Sequence, residues 1–439
     1  MDTLRVHTPL GKNGSLVDKR IVVVGAGMVG VCAALELQAR GAKVTLIDRR
    51  PPGRETSFGN AGVLARSSLV PINNPGLFAS LPRLMRNRSA GLRYDPSFIL
   101  RNSSWAFQFL NHARSAPFRE TAAALDGLIR LSIAKHRELI TTCGLETHLA
   151  DRGWMFLYRS AAAYRGSHRN HAVMRAHGVD AVTLDPADLR DLEPGLAPIF
   201  QKALWIRDSY SVDNPGAVVA GYARAFTARG GDVLQADVTD VSQSETGGRV
   251  HLEGVRQLYA DHAVLCLGPW GRQFLERQGY GVTMAYERGY HRHFSGPSGA
   301  LGNSPLSRPV CDTGGSYVLA PMQDRLRLST GVELCDRDAP PNEQQMRNAE
   351  RAAREAVDLG DAVDETPWLG SRPTFPDSRP VIGAVPGASH MSVAFGHQHI
   401  GFMTGPGTAT LLADLLEGTE PVLDPHPFRP ERFVRRRKS

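Results

Sequence analysis

Cysteine is scarce. The 439 residues hold five, Cys32, Cys143, Cys266, Cys311 and Cys335, with no C-x-x-C pair among them. An odd, scattered set of thiols argues against a disulfide framework or zinc knuckle and for reduced thiols in a cytoplasmic protein. The N-terminal "MDTLRVHTPLGKNGSLVDKR" has no apolar core of the kind a signal peptide needs, so none is expected. Asp, Glu, Lys and Arg are all missing from Pro380 to Ala413, a stretch long enough to cross a bilayer. Six glycines, three prolines and three histidines interrupt it, however. A spanning helix would leave those breaks and polar groups unsatisfied in lipid, so buried strand, loop and helix are expected there instead.

A distributed excess of positive charge is also lacking. The net charge is +7, but the terminal "FRPERFVRRRKS" carries six Arg or Lys and one Glu, leaving about +2 for everything else. This pattern predicts a flexible cationic tail able to touch an anionic membrane surface. Without interleaved aromatic platforms it gives no support to nucleic-acid binding. Two H-x-H pairs, His291/His293 and His397/His399, have no carboxylate or cysteine at helical ligand spacing beside them, so no metal site is expected.

What is present begins with "RIVVVGAGMVGVCAALELQARGAKVTLIDRR". Ile21 to Val24 form a short β-branched run suited to a strand buried on both faces. Gly25, Gly27 and Gly30 follow in G-x-G-x-x-G spacing; Met28, Val31, Cys32, Leu35 and Ala39 then recur at helical intervals, with Gly41 where a C-cap glycine belongs. A second strand, "KVTLID", ends in Asp48, 18 residues after Gly30. Gly25 permits the sharp turn, Gly27 lets the backbone approach a pyrophosphate, and Gly30 lets helix and strand pack closely, while Asp48 can accept from the ribose hydroxyls. The motif alone does not separate NAD from FAD. A polar loop, "PPGRETSFGNAGVLARSS", follows in place of a chain of βαβ units. The next α-then-β crossover comes only at 213 to 241, and a strand ending in glycine, "HAVLCLG", at 262 to 268. A nucleotide fold interrupted by such insertions fits a flavoprotein better than a simple dehydrogenase.

Seven ordered motifs from about Arg20 to about Glu420 resemble the D-amino-acid dehydrogenase branch of the FAD-dependent amine and amino-acid oxidoreductases, whose relatives include glycine oxidase, D-amino-acid oxidase and sarcosine oxidase. After the dinucleotide fingerprint, "ETSFGNAG" is similar to the family's T-S-x-x-N-A-G loop beneath the isoalloxazine. "HAVLCLGPWG" is similar to the strand ending in A-x-G, with Cys266 where alanine is usual. "YERGYHRHF" and "SYVLAPMQDRLRLSTGVEL" resemble substrate-side strands, and "WLGSRPTFPDSRPVIGAVPG" matches W-x-G-x-R-P-x-x-P-D-x-x-P-x-I-G. "FGHQHIGFMTGPG" is similar to G-H-x-x-x-G-x-T.

The resemblance implies an α/β fold: a discontinuous Rossmann-type FAD-binding domain (20–75, 213–280 and 368–425) and an α+β substrate domain with a mixed sheet (76–212 and 281–367). An N-terminal extension (1–19) and the basic tail (426–439) flank them. FAD is expected to be non-covalent, because the stretch 360 to 375, where sarcosine-oxidase relatives attach it, holds no cysteine. Gly25, Gly27, Met28, Val29, Gly30, Asp48 and Arg49 are expected to hold its dinucleotide end. Ser57, Asn60, Ala61 and Gly62 are expected to line the flavin, joined by Val238, Gly268, His397, Gly401 and Thr404. Arg372 is the expected carboxylate anchor, because a guanidinium offers a bidentate match; its alternative use is an ion pair with Asp377. Tyr290 and Tyr317 are expected pocket walls or hydroxyl donors, and His399 a substrate contact. "TGPGTATLLADLLEG" predicts a helix with Pro406 near its first turn and Gly418 as C-cap, its N-terminus facing the reduced flavin's negative edge. The implied reaction is oxidative deamination of a D-amino acid, cyclic ones such as D-proline or hydroxyproline included, by hydride transfer to flavin N5. Electrons then pass to a respiratory acceptor. The alternative is a glycine- or sarcosine-type oxidase using O2.

Overall fold

Alternate residues of the first strand go to different cores. In Arg20–Val24, Ile21 and Val23 pack into one buried cluster and Val22 and Val24 into another, as expected of a central strand covered on both faces. The computed structural model describes residues 15–87, 91–244, 246–254, 257–297 and 304–437. Most of the expected N-terminal extension lies outside them. Arg20–Val24 is flanked by Lys43–Asp48 and His262–Leu265, both parallel to it. The full order of this six-stranded sheet is Asp232–Gln235, Lys43–Asp48, Arg20–Val24, His262–Leu265, Met391–Phe395 and Val381–Ala384. Only the last joins antiparallel. The helix Met28–Ala39 packs on one face with the helices Pro215–Ala228 and Gly401–Glu417.

The second layer is a ten-stranded mixed sheet centred on the long strand Ala285–Phe294. That strand pairs antiparallel with Leu326–Thr330, Val332–Leu334 and Trp368–Thr374. Residues 368 to 374 therefore belong to this sheet, and the expected boundary at 368 falls on the wrong side of a strand. The helix Ser115–Thr142, assigned from sequence to the substrate domain, packs instead against Gly401–Glu417 and shares the core of the six-stranded sheet.

Two local expectations are corrected. Pro406 is not in a first turn. The helix starts at Gly401, and Pro406 sits inside it. A proline there leaves the carbonyl four residues back without its donor. His136, from Ser115–Thr142, fills the gap: its Nε2 lies 3.0 Å from the Phe402 carbonyl oxygen, and its Nδ1 lies 3.1 Å from the Tyr222 hydroxyl. Ser132 Oγ accepts the Gly407 N–H at 3.1 Å. The second correction concerns the tail. Val434–Arg436 pairs antiparallel with Tyr280–Val282, with Phe433 and Val434 buried. The chain is thus docked as far as Arg437, whose N–H donates to Gly279 O. Gly418 ends the helix in the left-handed region (φ 72°), as a C-cap glycine does.

Candidate active site

Both layers border one cavity of about 860 Å³. Its first end is the strand–turn–helix at residues 24 to 30. Gly25 has φ +106°, and a Cβ there would lie 2.4 Å from the Cys266 carbonyl oxygen. A Cβ on Gly30 would lie 1.7 Å from the Gly25 oxygen, so Gly30 sets helix–strand packing and does not reach the cavity. Asp48 accepts the Ala26 N–H at 2.7 Å and the Arg50 N–H at 3.0 Å, fixing its carboxylate on the cavity wall, where burial raises its pKa. Gly27, Met28, Val29, Arg49, Val238 and Gly268 line the same end.

The loop 55 to 62 joins the two ends. Ser57, Asn60 and Ala61 face the cavity. Ser57 Oγ accepts the Met28 N–H at 3.0 Å, tying the loop to the helix start. Asn60 accepts the Gly62 N–H at 2.8 Å and donates to the His399 carbonyl at 3.3 Å. Arg327, from the larger sheet, donates to the carbonyls of Phe58 (3.0 Å) and Asn60, while its Nε meets His293 Nε2 at 3.0 Å. Gly59 is covered by the Trp368 ring, and Gly62 turns behind the loop against Val212, away from the cavity.

Strand parity decides the other end. Glu287, Gly289, His291 and His293 share one face of their strand, opposite Arg372, Gly370 and Trp368 on one neighbour and Ser329 and Arg327 on the other. Ser329 in turn pairs with Val318. Arg372, Trp368, Ser329 and Val318 line the cavity, together with Trp154. Tyr317 and Tyr290 have the opposite parity and pack in the core beneath the helix Gln344–Arg354. Tyr317 is thus corrected from pocket wall to core residue. Tyr290 touches the cavity, but its hydroxyl is already committed, to Glu333 Oε2 (3.0 Å) and the Asn342 N–H (2.7 Å).

Arg372 is the cation of this end. Its guanidinium lies over Gly289, where a Cβ would come within 2.5 Å of Nη2, so any side chain there would push the guanidinium from its present place. Its single hydrogen bond among the described residues is a long one, 3.5 Å to the Gly331 carbonyl, and no described carboxylate lies within ion-pairing distance. Asp377, the alternative partner, is taken by Arg379 (2.9 Å) and Arg432. His399 also lines the cavity, its Nδ1 buried without a partner; burial, reinforced by the positive charge of Arg372, holds its pKa down at about 4. His397 lines the cavity too, but its Nε2 is held by Thr408 Oγ1 at 3.0 Å, and burial lowers its pKa to about 3. Gly401 borders the cavity, whereas Thr404 is fully buried and donates to the Ile400 carbonyl inside its own helix.

A family model described as "DAO: FAD dependent oxidoreductase" matches residues 20–415. The chain belongs to this family. Similar proteins match over nearly the whole length. D-amino-acid oxidase of Bradyrhizobium diazoefficiens is 28% identical over 429 residues, covering 95% of this chain and 99% of that protein. Glycine oxidase from Geobacillus kaustophilus shares the fold with a TM-score of 0.71 at 21% identity, covering 94% of this chain and 98% of the other. L-proline dehydrogenase from P. horikoshii gives 0.66 at 18%, covering 95% and 98%.

As a DAO-family member the protein is an FAD-dependent oxidoreductase, and the residues present suit that cofactor. The cavity is in the upper part of the usual range for cofactor sites, about 300–1,000 Å³. The Gly25 turn is a cradle that any side chain would fill. At the same end Arg337 keeps a buried Nη1 without a partner, and Arg49 and Arg337 both lie against the Trp270 ring, at 4.4 and 5.2 Å. These are cations suited to a pyrophosphate. Trp270 stands in the "GPWG" that ends the third motif and so had a signal in the sequence. Arg337 had none, nor did Val318 and Ser329, whose facing depends on strand pairing. Among the described residues no cluster of three His, Cys, Asp or Glu could hold a metal, and no helix is long and apolar enough to cross a membrane.

Proposed function

We propose that this DAO-family enzyme oxidises the Cα–H of a D-amino acid, cyclic imino acids such as D-proline or hydroxyproline included, and passes the electrons to a respiratory acceptor. The observation that carries the reading is Arg372: a guanidinium with no described carboxylate at ion-pairing distance, set in the same cavity as the dinucleotide cradle. A cation held there invites an anion, and its planar fork matches a carboxylate. Bound FAD supplies the two-electron chemistry. The protein's part is to orient the substrate. Arg372 holds the carboxylate, and Trp154, Trp368 and Val318 exclude water. His399 Nδ1 accepts a hydrogen bond from the substrate amine. With a pKa of about 4, His399 is too weak a base to take the proton of an ammonium group, so its role is to orient and the amine must arrive neutral. The name of the Bradyrhizobium relative supports a D-amino-acid substrate. The choice of a respiratory acceptor rests on the insertion 76–140, which resembles the dehydrogenase branch. The exposed Arg435, Arg436 and Arg437 on the docked terminus support a peripheral contact with an anionic membrane.

The test is anaerobic flavin bleaching by D- and L-amino acids, sarcosine and the proline isomers, followed by reoxidation with either O2 or a quinone analogue. D-selective bleaching with slow O2 reoxidation is expected. Fast O2 reoxidation would favour the glycine- or sarcosine-type oxidase, and no bleaching by any amino acid would refute the reading. Arg372→Ala should raise the substrate Kd at least about 100-fold, since a charge-assisted bidentate pair is lost; an unchanged Kd would remove Arg372 from the site.

A further inference from the structure

We propose that Glu287 is a positioning residue for the substrate anchor: it balances the charge of Arg372 across the strand pair, without an ion-pair contact, while the site is empty and takes up a proton when a substrate carboxylate binds there. The inference rests on the carboxylate-anchoring role of Arg372 given above. It makes substrate binding a proton-coupled exchange of one anion for another.

Glu287 stands directly across from Arg372 in the antiparallel pairing of their strands, so the two side chains leave the same face of the sheet. Glu287 is 2% exposed, and its Oε2 has no hydrogen-bond partner. A fully buried carboxylate in that state is costly unless a cation compensates it or a proton neutralises it. Arg372 is the cation that faces it. The groups on the other packed elements are otherwise engaged. Arg288 and Glu333 pair at 2.8 Å on the opposite face of the sheet. The helix Ser103–His112 reaches the neighbouring strand through Trp105, which donates to the Thr374 carbonyl, while its His112 is under the influence of Asp377 and Arg379. His397 and His399 are both neutral above about pH 4. The local charge is therefore set by Glu287 and Arg372 together. Burial lifts the Glu287 carboxyl to about 7, against the opposing pull of Arg372 and Thr374, so near neutral pH it is poised between its two states.

Charge balance then dictates the exchange. A substrate carboxylate arriving on Arg372 beside an ionised Glu287 would set two anions against one cation. Protonating Glu287 removes the conflict, with the proton drawn from solvent. A second anion beside Glu287 raises its pKa further in the complex.

The test uses the FAD-loaded enzyme and 2-methylpropanoate, a carboxylate without an amine, which is not oxidisable by this route and does not itself titrate between pH 6 and 8.5. Binding is followed by the change in flavin absorbance across that range. Proton uptake is measured by calorimetry in buffers of different ionisation enthalpy. The wild type should bind with a constant Kd below pH 7 and weaken by up to about tenfold per pH unit above it. It should take up close to one proton per ligand at pH 8. Glu287→Gln should bind with a flat pH profile and no uptake. Absence of uptake in the wild type, or an unchanged profile in Glu287→Gln, overturns the proposal while leaving Arg372 as the anchor. Failure of the wild type to bind the probe at any pH overturns both.

Discussion

Replacing His136 with phenylalanine keeps the ring and removes both nitrogens. In the wild type, the proline inside Gly401–Glu417 leaves the Phe402 carbonyl without its helical donor, and His136 Nε2 supplies one from the neighbouring helix. The ring is completely buried, so its loss strands the carbonyl away from water. An orphaned buried acceptor costs about 1–3 kcal/mol, and the Tyr222 hydroxyl loses its Nδ1 partner as well, so a total near 2–4 kcal/mol is expected. The discriminating control is Pro406→Ala, which restores an N–H able to donate to Phe402 from within the helix. His136→Phe should then cost at least about 1 kcal/mol less in the Pro406→Ala background, a coupling beyond the additivity of independent sites. Denaturant unfolding of the four FAD-loaded proteins, followed by circular dichroism and flavin release, measures it. Equal costs of His136→Phe in the two backgrounds, within about 0.5 kcal/mol, would refute the view that the histidine stands in for the missing helix donor.

Burial holds His136, His293 and His399 near pKa 4, His262 and His397 near 3, and His291 near 2. Their folded pKa values are depressed, so the stability they contribute is present above about pH 6.5 and is lost as pH falls toward 4. Each adds up to about 1.4 kcal/mol per pH unit in that window. Unfolding monitored from pH 7 to 4.5 should show uptake of several protons, and a flat profile would contradict the neutral buried state. Strand parity is tested by a pair of substitutions: Val318→Phe should raise KM by narrowing the cavity, whereas Tyr317→Phe should lower stability and leave KM unchanged. The reverse pattern would mean that the sheet face has been misassigned.

The dinucleotide end was readable in the sequence because its constraints are local. Gly25, Gly27, Gly30 and Asp48 are fixed by one strand–helix–strand unit, and steric exclusion at Gly25 and Gly30 leaves little choice of residue. The substrate end was not, except for Arg372. "GYHRH" and "SYVLAP" are buried on both faces, so no alternation of polar and apolar residues marks which parity meets the cavity. Shifting attention by one residue from Tyr317 to Val318 changes core into wall. Pro406 misled for a related reason: the residue that tolerates it, His136, is 270 positions away in the chain. The terminal arginines were read by charge alone, whereas Phe433 and Val434 decide where that segment goes.

The order of strands in the six-stranded sheet has a consequence for synthesis on the ribosome. Arg20–Val24 and Lys43–Asp48 emerge first, yet the other neighbour of Arg20–Val24 is His262–Leu265, and that strand's own partner is Met391–Phe395. At about 5–20 residues per second, the first pair waits at least about 10 s with an apolar open edge before its next strand is made. Such an edge is a template for pairing with other chains. Newly made protein should therefore depend on chaperones during elongation, and truncated transcripts ending before residue 395 should yield aggregates in place of a stable nucleotide-binding fragment.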